Sequence, residues 1–279
     1  MCRETATQFD TFMAHTFIKI HRFPARRLDS KIVGYQNKEV VDSNAGGFTW
    51  CLSTLPSVGV EQSELTLSSW KVTPPEGGLW AAESVMLTTF NTEGQNEGIF
   101  YYVDEVNCET FSIQPGWYTA ESIDNWDPVS ADDTIVPYGA GVQIYSDCGA
   151  TITFAGEVVS EKSDFEIVDS NLGGFTWTGN VSPVDLTLKD ITITPPEGGL
   201  WAAESVMLTT FNAEGQNEGI FYYVDEVNCE TFSIQPGWYT AESIDNWDPV
   251  SAGDVVVKAG EMFQIYSDCG ATITIPSAL

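Results

Sequence analysis

The amino-acid sequence predicts an all-β protein made of two tandem β-sandwich domains, Ig-like or jelly-roll-like in topology. The first observation is a duplication, because the segment from Pro74 to Ala131 recurs from Pro195 to Ala252 with a single difference. The second is an apolar period of two in segments such as 84–90, 98–103 and 142–147, which is typical of strands. Turns rich in Gly, Asn, Asp and Pro separate these segments, and roughly seven to nine short strands per repeat suit a sandwich.

The duplication also sets the predicted domain boundaries. The motif VDSNAGGFTW reappears as VDSNLGGFTW, and QIYSDCGATIT closes both copies. We therefore expect a first repeat at residues 39–156 and a second at 165–279, joined by a linker at 157–164. Residues 1–38 are predicted to form a basic, poorly ordered leader. About 120 residues per repeat is a common size for one hydrophobic core.

The charge of the chain excludes several classes of partner. The net charge is -29, and seven of the eleven basic residues precede Glu39. The remaining 4 basic and 37 acidic residues give the repeat region a charge of -33. Such a surface repels phosphate backbones and anionic membranes, so we expect no nucleic-acid partner. Because no segment is apolar enough to span a bilayer, we also expect no membrane insertion. Solubility, divalent cations and cationic partners remain open.

The cysteines predict a disulfide in each repeat. Cys108 corresponds to Cys229 and Cys148 to Cys269, each pair lying 40 residues apart. Bridges from Cys108 to Cys148 and from Cys229 to Cys269 would stabilise each repeat by roughly 3 to 4 kcal/mol. They would place the protein outside the cell or on its surface, although residues 1–30 contain no secretory signal peptide. Reduced, partly buried thiols are the alternative.

The histidines argue against several catalytic mechanisms. His15 and His21 are the two histidines of the chain, and both lie outside the repeats. Catalytic Ser-His-Asp, Cys-His and His-zinc arrangements are therefore unavailable within a repeat. A pair of carboxylates of the glycosidase kind remains. The candidates in the first repeat are Glu83, Glu97, Asp104, Glu105, Glu121, Asp124 and Asp127. Since so many acids make chance pairs common, we predict no catalytic residue.

A polar loop between two predicted strands is a candidate calcium site in each repeat. The loops at 91–98 and 212–219 place several oxygen-bearing side chains within eight residues, and glycine allows such a loop to wrap around an ion. The candidate ligands are Asn91, Glu93, Asn96 and Glu97, with Asn212, Glu214, Asn217 and Glu218 in the second repeat. The spacing matches no EF-hand, and an ordinary long hairpin turn has the same composition.

Tryptophans beside acids and amides are candidate sugar-binding residues, because an indole stacks on a pyranose while polar groups bind its hydroxyls. They are Trp117, Asp124, Asn125, Trp126 and Asp127, and Trp238, Asp245, Asn246, Trp247 and Asp248. Trp80 and Trp201 would extend this platform. A tryptophan in a small sandwich is more often a core residue, and we expect that of Trp50 and Trp177. Alternation along the strand would then turn Cys51 outward, and a thiol tucked beneath a loop is the equal alternative.

The repeated GGFTW opening, the central GWY and the closing IYSD-GATITF hairpin resemble repeat units of uncharacterised, large exported bacterial surface proteins. The resemblance implies an all-β surface architecture and no catalytic residues. We therefore expect a non-enzymatic tandem-repeat structural or adhesion protein, with polysaccharide or other surface proteins as partners. The alternatives are a calcium-assisted carbohydrate-binding module in two copies and, third, a carboxylate-dependent glycoside hydrolase.

Overall fold

The structure is a computed structural model, and it confirms an all-β protein with few helices. It describes residues 33–43, 47–54, 65–91, 94–157, 159, 161–172, 174–212 and 215–277. Most of the predicted leader, residues 1–32, lies outside the described part. The described strands form several antiparallel sheets, and none of these closes into a barrel. None of the described helices is long and apolar enough to cross a membrane.

The first repeat contains ten strands and two short α-helices in the described ranges. The strands are β1 (Val33–Val40), β2 (Thr49–Leu52), β3 (Leu65–Thr66), β4 (Lys71–Thr73), β5 (Val85–Phe90), β6 (Asn96–Val103), β7 (Gly116–Thr119), β8 (Ile135–Val136), β9 (Gly141–Ser146) and β10 (Ala150–Glu157). The helices are α1 (Cys108–Phe111) and α2 (Ala120–Asp124), and 3-10 turns occupy Leu67–Ser69 and Ala82–Ser84.

The second repeat has the same order of strands and α-helices in the described ranges, although one of its two 3-10 turns has a different position. Its strands are β11 (Ser163–Ile167), β12 (Thr176–Gly179), β13 (Leu186–Thr187), β14 (Thr192–Thr194), β15 (Val206–Phe211), β16 (Asn217–Val224), β17 (Gly237–Thr240), β18 (Val256–Val257), β19 (Met262–Ser267) and β20 (Ala271–Ile275). Its helices are α3 (Glu226–Phe232) and α4 (Ala241–Asp245), with 3-10 turns at Ser170–Leu172 and Leu188–Asp190. β1 begins within the predicted leader and β11 within the predicted linker.

Each repeat forms three sheets of the same connectivity. In the first repeat the strand orders are β1-β10-β4, β2-β9-β5-β6-β7 and β3-β8, and the second repeat reproduces all three. The neighbours β5 and β6 form a hairpin with an irregular register at Thr89 and Phe90. Every strand pair in the described residues stays within one repeat. The finer expectation, an Ig-like or jelly-roll-like sandwich, stays a prediction.

The core of the first repeat lies among its three sheets. Its buried cluster includes Val72 and Ile152 from the three-stranded sheet, Leu87 and Ile144 from the five-stranded sheet, and Val136 from the two-stranded sheet. Period-two alternation explains this distribution, because the same face of each strand carries the apolar side chains. The second repeat builds a corresponding cluster.

The two repeats contact each other through aromatic side chains. Trp50 and Trp177 stack with ring centroids 4.7 Å apart and planes 14° apart. Phe211 lies 5.5 Å from the Trp50 ring, and Phe90 lies 5.3 Å from the Trp177 ring. The expectation that Trp50 and Trp177 belong to the repeat cores is therefore wrong. Their strands are covered on both faces, one by the core of their own repeat and the other by the opposite repeat.

The other face of β2 corrects the expectation for Cys51. This thiol is fully buried in the core of the first repeat, where Trp50 points away from it. Burial raises the pKa of Cys51 to about 11, because the thiolate would lose its hydration. The side chain is thus a small apolar core residue rather than an outward-facing thiol.

The predicted disulfides are absent, since Cys108, Cys148, Cys229 and Cys269 are all free thiols. The physical reason is that the two partners of each pair pack in different places. Cys108 lies in α1, where its Sγ donates to the Glu105 carbonyl at 3.3 Å. Cys148 packs against the main core cluster, beside Ser146. These four free thiols therefore give no support for an oxidising compartment.

Candidate ligand-binding surface

Trp126 occupies an unusual backbone position at the end of α2. The helix closes with two hydrogen bonds, from the Trp126 amide to the Ile123 carbonyl at 3.0 Å and from the Asp127 amide to the Ser122 carbonyl at 2.9 Å. This pattern is a Schellman motif, whose left-handed position is usually taken by glycine. Trp126 takes it instead, with φ at +58°, and Trp247 does the same in the second repeat. A side chain in this conformation costs about 1 to 2 kcal/mol.

The indole of Trp126 is held at the surface by one neighbouring ring. Its centroid lies 5.0 Å from that of Phe111, with the planes tilted by 33°. Trp126 nevertheless remains 70% exposed, and Trp247, which lies against Phe232, has the same exposure. The sequence prediction did not include Phe111 and Phe232. One face of a positioned indole is thus open to solvent in each repeat.

Polar groups surround this aromatic surface. Asp124, Asn125 and Asp127 are all exposed beside Trp126, and their counterparts Asp245, Asn246 and Asp248 are exposed beside Trp247. Partial burial and then the charges of Asp124 and Glu83 raise the pKa of Tyr101. Both carboxylates therefore lie within electrostatic reach of the Tyr101 hydroxyl. Acids, an amide and a phenol near an open indole are suitable partners for sugar hydroxyls. We call Trp126 and Phe111, with Asp124, Asn125, Asp127 and Tyr101 around them, the aromatic patch of the first repeat. The second repeat has the corresponding aromatic patch around Trp247.

Trp80 is a second exposed indole near the same elements, with 72% of its surface exposed. The preceding residue, Leu79, is held by hydrogen bonds to both of its backbone groups. Its amide donates to Asp104 Oδ2 at 2.8 Å, and its carbonyl accepts from Asn107 Nδ2 at 2.9 Å. Ala82 then packs in one small cluster with Ile123 of α2. Trp80 and Trp126 therefore extend from segments that pack against the same cluster. Trp201 repeats this arrangement with 71% exposure.

Trp117 and Trp238 do not belong to the surface, so their prediction as ligand-binding residues is wrong. Trp117 is 1% exposed, and its Nε1 donates to the Trp70 carbonyl at 3.0 Å. Trp238 is 2% exposed and donates in the same way to the Ile191 carbonyl. β7 and β17 turn these indoles into the core, where the hydrogen bond satisfies the one polar atom of the ring.

The predicted calcium loops form hairpin turns in their described residues. The Asn91 side chain accepts from the Gln95 amide at 2.8 Å, and Asn212 accepts from Gln216 at the same distance. Asn96 and Glu97 begin β6, and Asn217 and Glu218 begin β16. Glu93 and Glu214 lie outside the described residues. In the ranges that the structure describes, no group of three or more His, Cys, Asp or Glu residues could hold a metal. Calcium binding stays a prediction.

One of the candidate catalytic carboxylates has a structural role instead. Asp104 is 4% exposed and accepts from the amides of Leu79, Val106 and Asn107. It fixes the segment that carries Trp80. The other six candidates in the first repeat, Glu83, Glu97, Glu105, Glu121, Asp124 and Asp127, are exposed.

Comparison of the chain with protein-family models, with curated proteins and with solved structures finds no match. The geometry of the aromatic patch and its duplication are therefore the features of the molecule that point to a function.

Proposed function

We propose that this chain is a non-enzymatic adhesion protein of two β-sandwich domains that binds polysaccharide at the cell surface or outside the cell. The observation that carries the proposal is the exposure of Trp126 and Trp247, each 70% exposed in a left-handed conformation. Strained residues of this kind concentrate at functional sites. Packing on Phe111 uses one face of the Trp126 indole, and the exposed face offers a stacking surface to a pyranose ring.

The duplication supports adhesion because it supplies two copies of one binding surface. Joining two weak sites raises the overall affinity for a polymer about 10²- to 10⁴-fold when both sites reach it. The acidic residues around each indole favour neutral or cationic sugars and bind their hydroxyls. Calcium assistance through the loops at Asn91 and Asn212 is a variant of the same proposal, which a chelator distinguishes.

The test measures binding of the full chain to immobilised polysaccharides, with calcium and with a chelator. We expect Trp126→Ala combined with Trp247→Ala to abolish binding, and either single change to weaken it at least tenfold through lost avidity. The matched control is Val106→Ala with Val227→Ala, which removes apolar side chains that are 60% and 59% exposed. Undiminished binding by the double tryptophan variant, or no binding to any polysaccharide, would contradict the proposal.

A further inference from the structure

The two repeats differ at one corner just beyond the end of their identical segment. In the first repeat Asp132 lies over the start of β7, and its Oδ1 accepts from the Trp117 amide at 3.1 Å. Both carboxylate oxygens lie 3.2 Å from the position that a Cβ on Gly116 would occupy. The Asp132 side chain therefore fills this corner and satisfies an outward-pointing backbone donor.

The second repeat has Gly253 at the position of Asp132, and the corner is open. A cavity of about 300 Å³ lies there, lined by residues that include Lys189, Tyr223, Gln235 and Trp238. Among the residues that the structure describes, no atom beyond Gly237 and its two chain neighbours lies within 4 Å of a Cβ placed on Gly237.

The backbone around the cavity is arranged as in the first repeat. Ala252 donates to the Trp238 carbonyl at 2.8 Å, as Ala131 donates to the Trp117 carbonyl at 2.7 Å. The Trp238 amide therefore points to the same side as the Trp117 amide, and Gly253 offers it no carboxylate.

The charged side chains at this corner also differ between the two repeats. Lys189, which lines the cavity, stands where the first repeat has Ser68. The corner has thus lost the Asp132 carboxylate and gained one ammonium group, while the adjacent change from Ser69 to Asp190 adds a carboxylate that accepts from the amide and hydroxyl of Thr187. Lys189 Nζ contacts Asp254 Oδ1 at 2.8 Å, and these side chains are 62% and 92% exposed. Because exposed ion pairs contribute little, the ammonium group is free to turn to an anion in the cavity.

A tyrosine hydroxyl completes the set of donors. In the first repeat, burial and then the charges of Asp104, Asp132 and Glu105 raise the pKa of Tyr102, so the Asp132 carboxylate lies within electrostatic range of this hydroxyl. Its counterpart Tyr223 lines the cavity, and its pKa is raised by burial and then by the charges of Asp225 and Glu226, with no contribution from residue 253. A phenol is neutral near pH 7 and donates one hydrogen bond.

We propose that the second repeat binds a small organic carboxylate in this cavity, where the ligand's carboxylate takes the place that the Asp132 side chain has in the first repeat. The Trp238 amide, the Tyr223 hydroxyl and the Lys189 ammonium group are its donors. A cavity of about 300 Å³ is at the small end of ligand pockets, which suits a hexuronic acid or a smaller acid. This site is separate from the aromatic patch and does not depend on the adhesion function.

The test titrates the full chain with acetate, glucuronate, glucose and chloride at constant ionic strength, by calorimetry. We expect saturable binding of one equivalent of acetate or glucuronate and none of glucose or chloride. Gly253→Asp should abolish it, since the new side chain has room beside Lys189 Cβ, 3.4 Å from the added Cβ. Lys189→Ser should weaken it about tenfold through loss of a charge-assisted hydrogen bond. Ser68→Lys with Asp132→Gly should raise the stoichiometry to two.

Three results would overturn the proposal: no saturable binding of either acid, undiminished binding by Gly253→Asp, or equal binding of chloride. Circular dichroism checks that each variant is folded. If Gly253→Asp does not fold, Lys189→Ser decides, because this exposed side chain contributes little to stability, and unchanged affinity would then count against the site. Loss of polysaccharide binding in the double tryptophan variant leaves acid binding unchanged, so the two proposals fail separately.

Discussion

Two pairs of tryptophans show how the same duplication leads to opposite environments. Trp50 and Trp177 stack on each other between the repeats with centroids 4.7 Å apart, whereas Trp126 and Trp247 remain 70% exposed on separate patches. The first pair buries apolar surface and holds the repeats together. The second pair keeps its surface in water. Exposure of Trp126 is therefore not a general consequence of having many aromatic residues in a small fold.

The contact between the repeats is isologous, like that of a symmetric dimer. Gly94 in the first repeat closely approaches the backbone of Phe175, and Gly215 in the second approaches that of Phe48 in the same way. A side chain on either glycine would collide with the facing carbonyl. The φ angles of Gly94 and Gly215, +71° and +73°, also favour glycine. Duplication supplies most of such a self-complementary surface, because each repeat carries both halves of the contact. The two halves differ at Leu52, which packs in the core cluster of the second repeat and has Gly179 as its counterpart. The aromatic patches take no part in it and stay available.

The largest expected effect is on a third class of tryptophan, the one buried within a repeat. Trp117→Ala removes a side chain that is 1% exposed and leaves a cavity, so we expect the free energy of unfolding to fall by about 3 to 5 kcal/mol. Denaturant unfolding measures this, with Trp126→Ala as the matched surface control. A loss below about 1 kcal/mol for Trp117→Ala would contradict the assignment of this residue to the core.

An intermediate effect is expected at the contact between the repeats. Trp50→Ala should lower the free energy of unfolding by about 1 to 3 kcal/mol, since the ring is partly buried against Trp177 and Phe211. A double-mutant cycle with Trp177→Ala should give a coupling of about 0.5 to 1.5 kcal/mol, the usual value for an aromatic pair. Independent effects of the two changes would mean that the rings do not stack in solution.

The three classes of tryptophan, which are buried within a repeat, stacked between the repeats or exposed, mark the limit of what the sequence can predict. Alternation of apolar residues correctly predicted an all-β fold, but it cannot say what covers each face of a strand. Both faces of β2 are covered, so alternation gives the wrong side for both Trp50 and Cys51. The spacing of Cys108 and Cys148 likewise contains no information on where their side chains pack.

The surface was predicted in part. Composition singles out Trp126 and its acidic neighbours, and all of them are exposed; their binding of a sugar stays a prediction. Phe111 and the left-handed backbone of Trp126 leave no signal in the sequence, because they depend on how α1 and α2 end. The cavity beside Gly253 was also missed, since only the fold brings the change from Ser68 to Lys189 next to the change from Asp132 to Gly253.

The smallest expected effect isolates the strain at the aromatic patch. Trp126→Gly and Trp126→Ala remove the same indole, but glycine adopts φ near +58° without steric conflict. We therefore expect Trp126→Gly to be about 1 kcal/mol more stable than Trp126→Ala in denaturant unfolding. At Trp50, which lies in extended β2, the order should reverse, because glycine weakens a strand. Equal stability of the two Trp126 variants would mean that this backbone position carries no strain, and the physical argument for a functional indole there would lose its support.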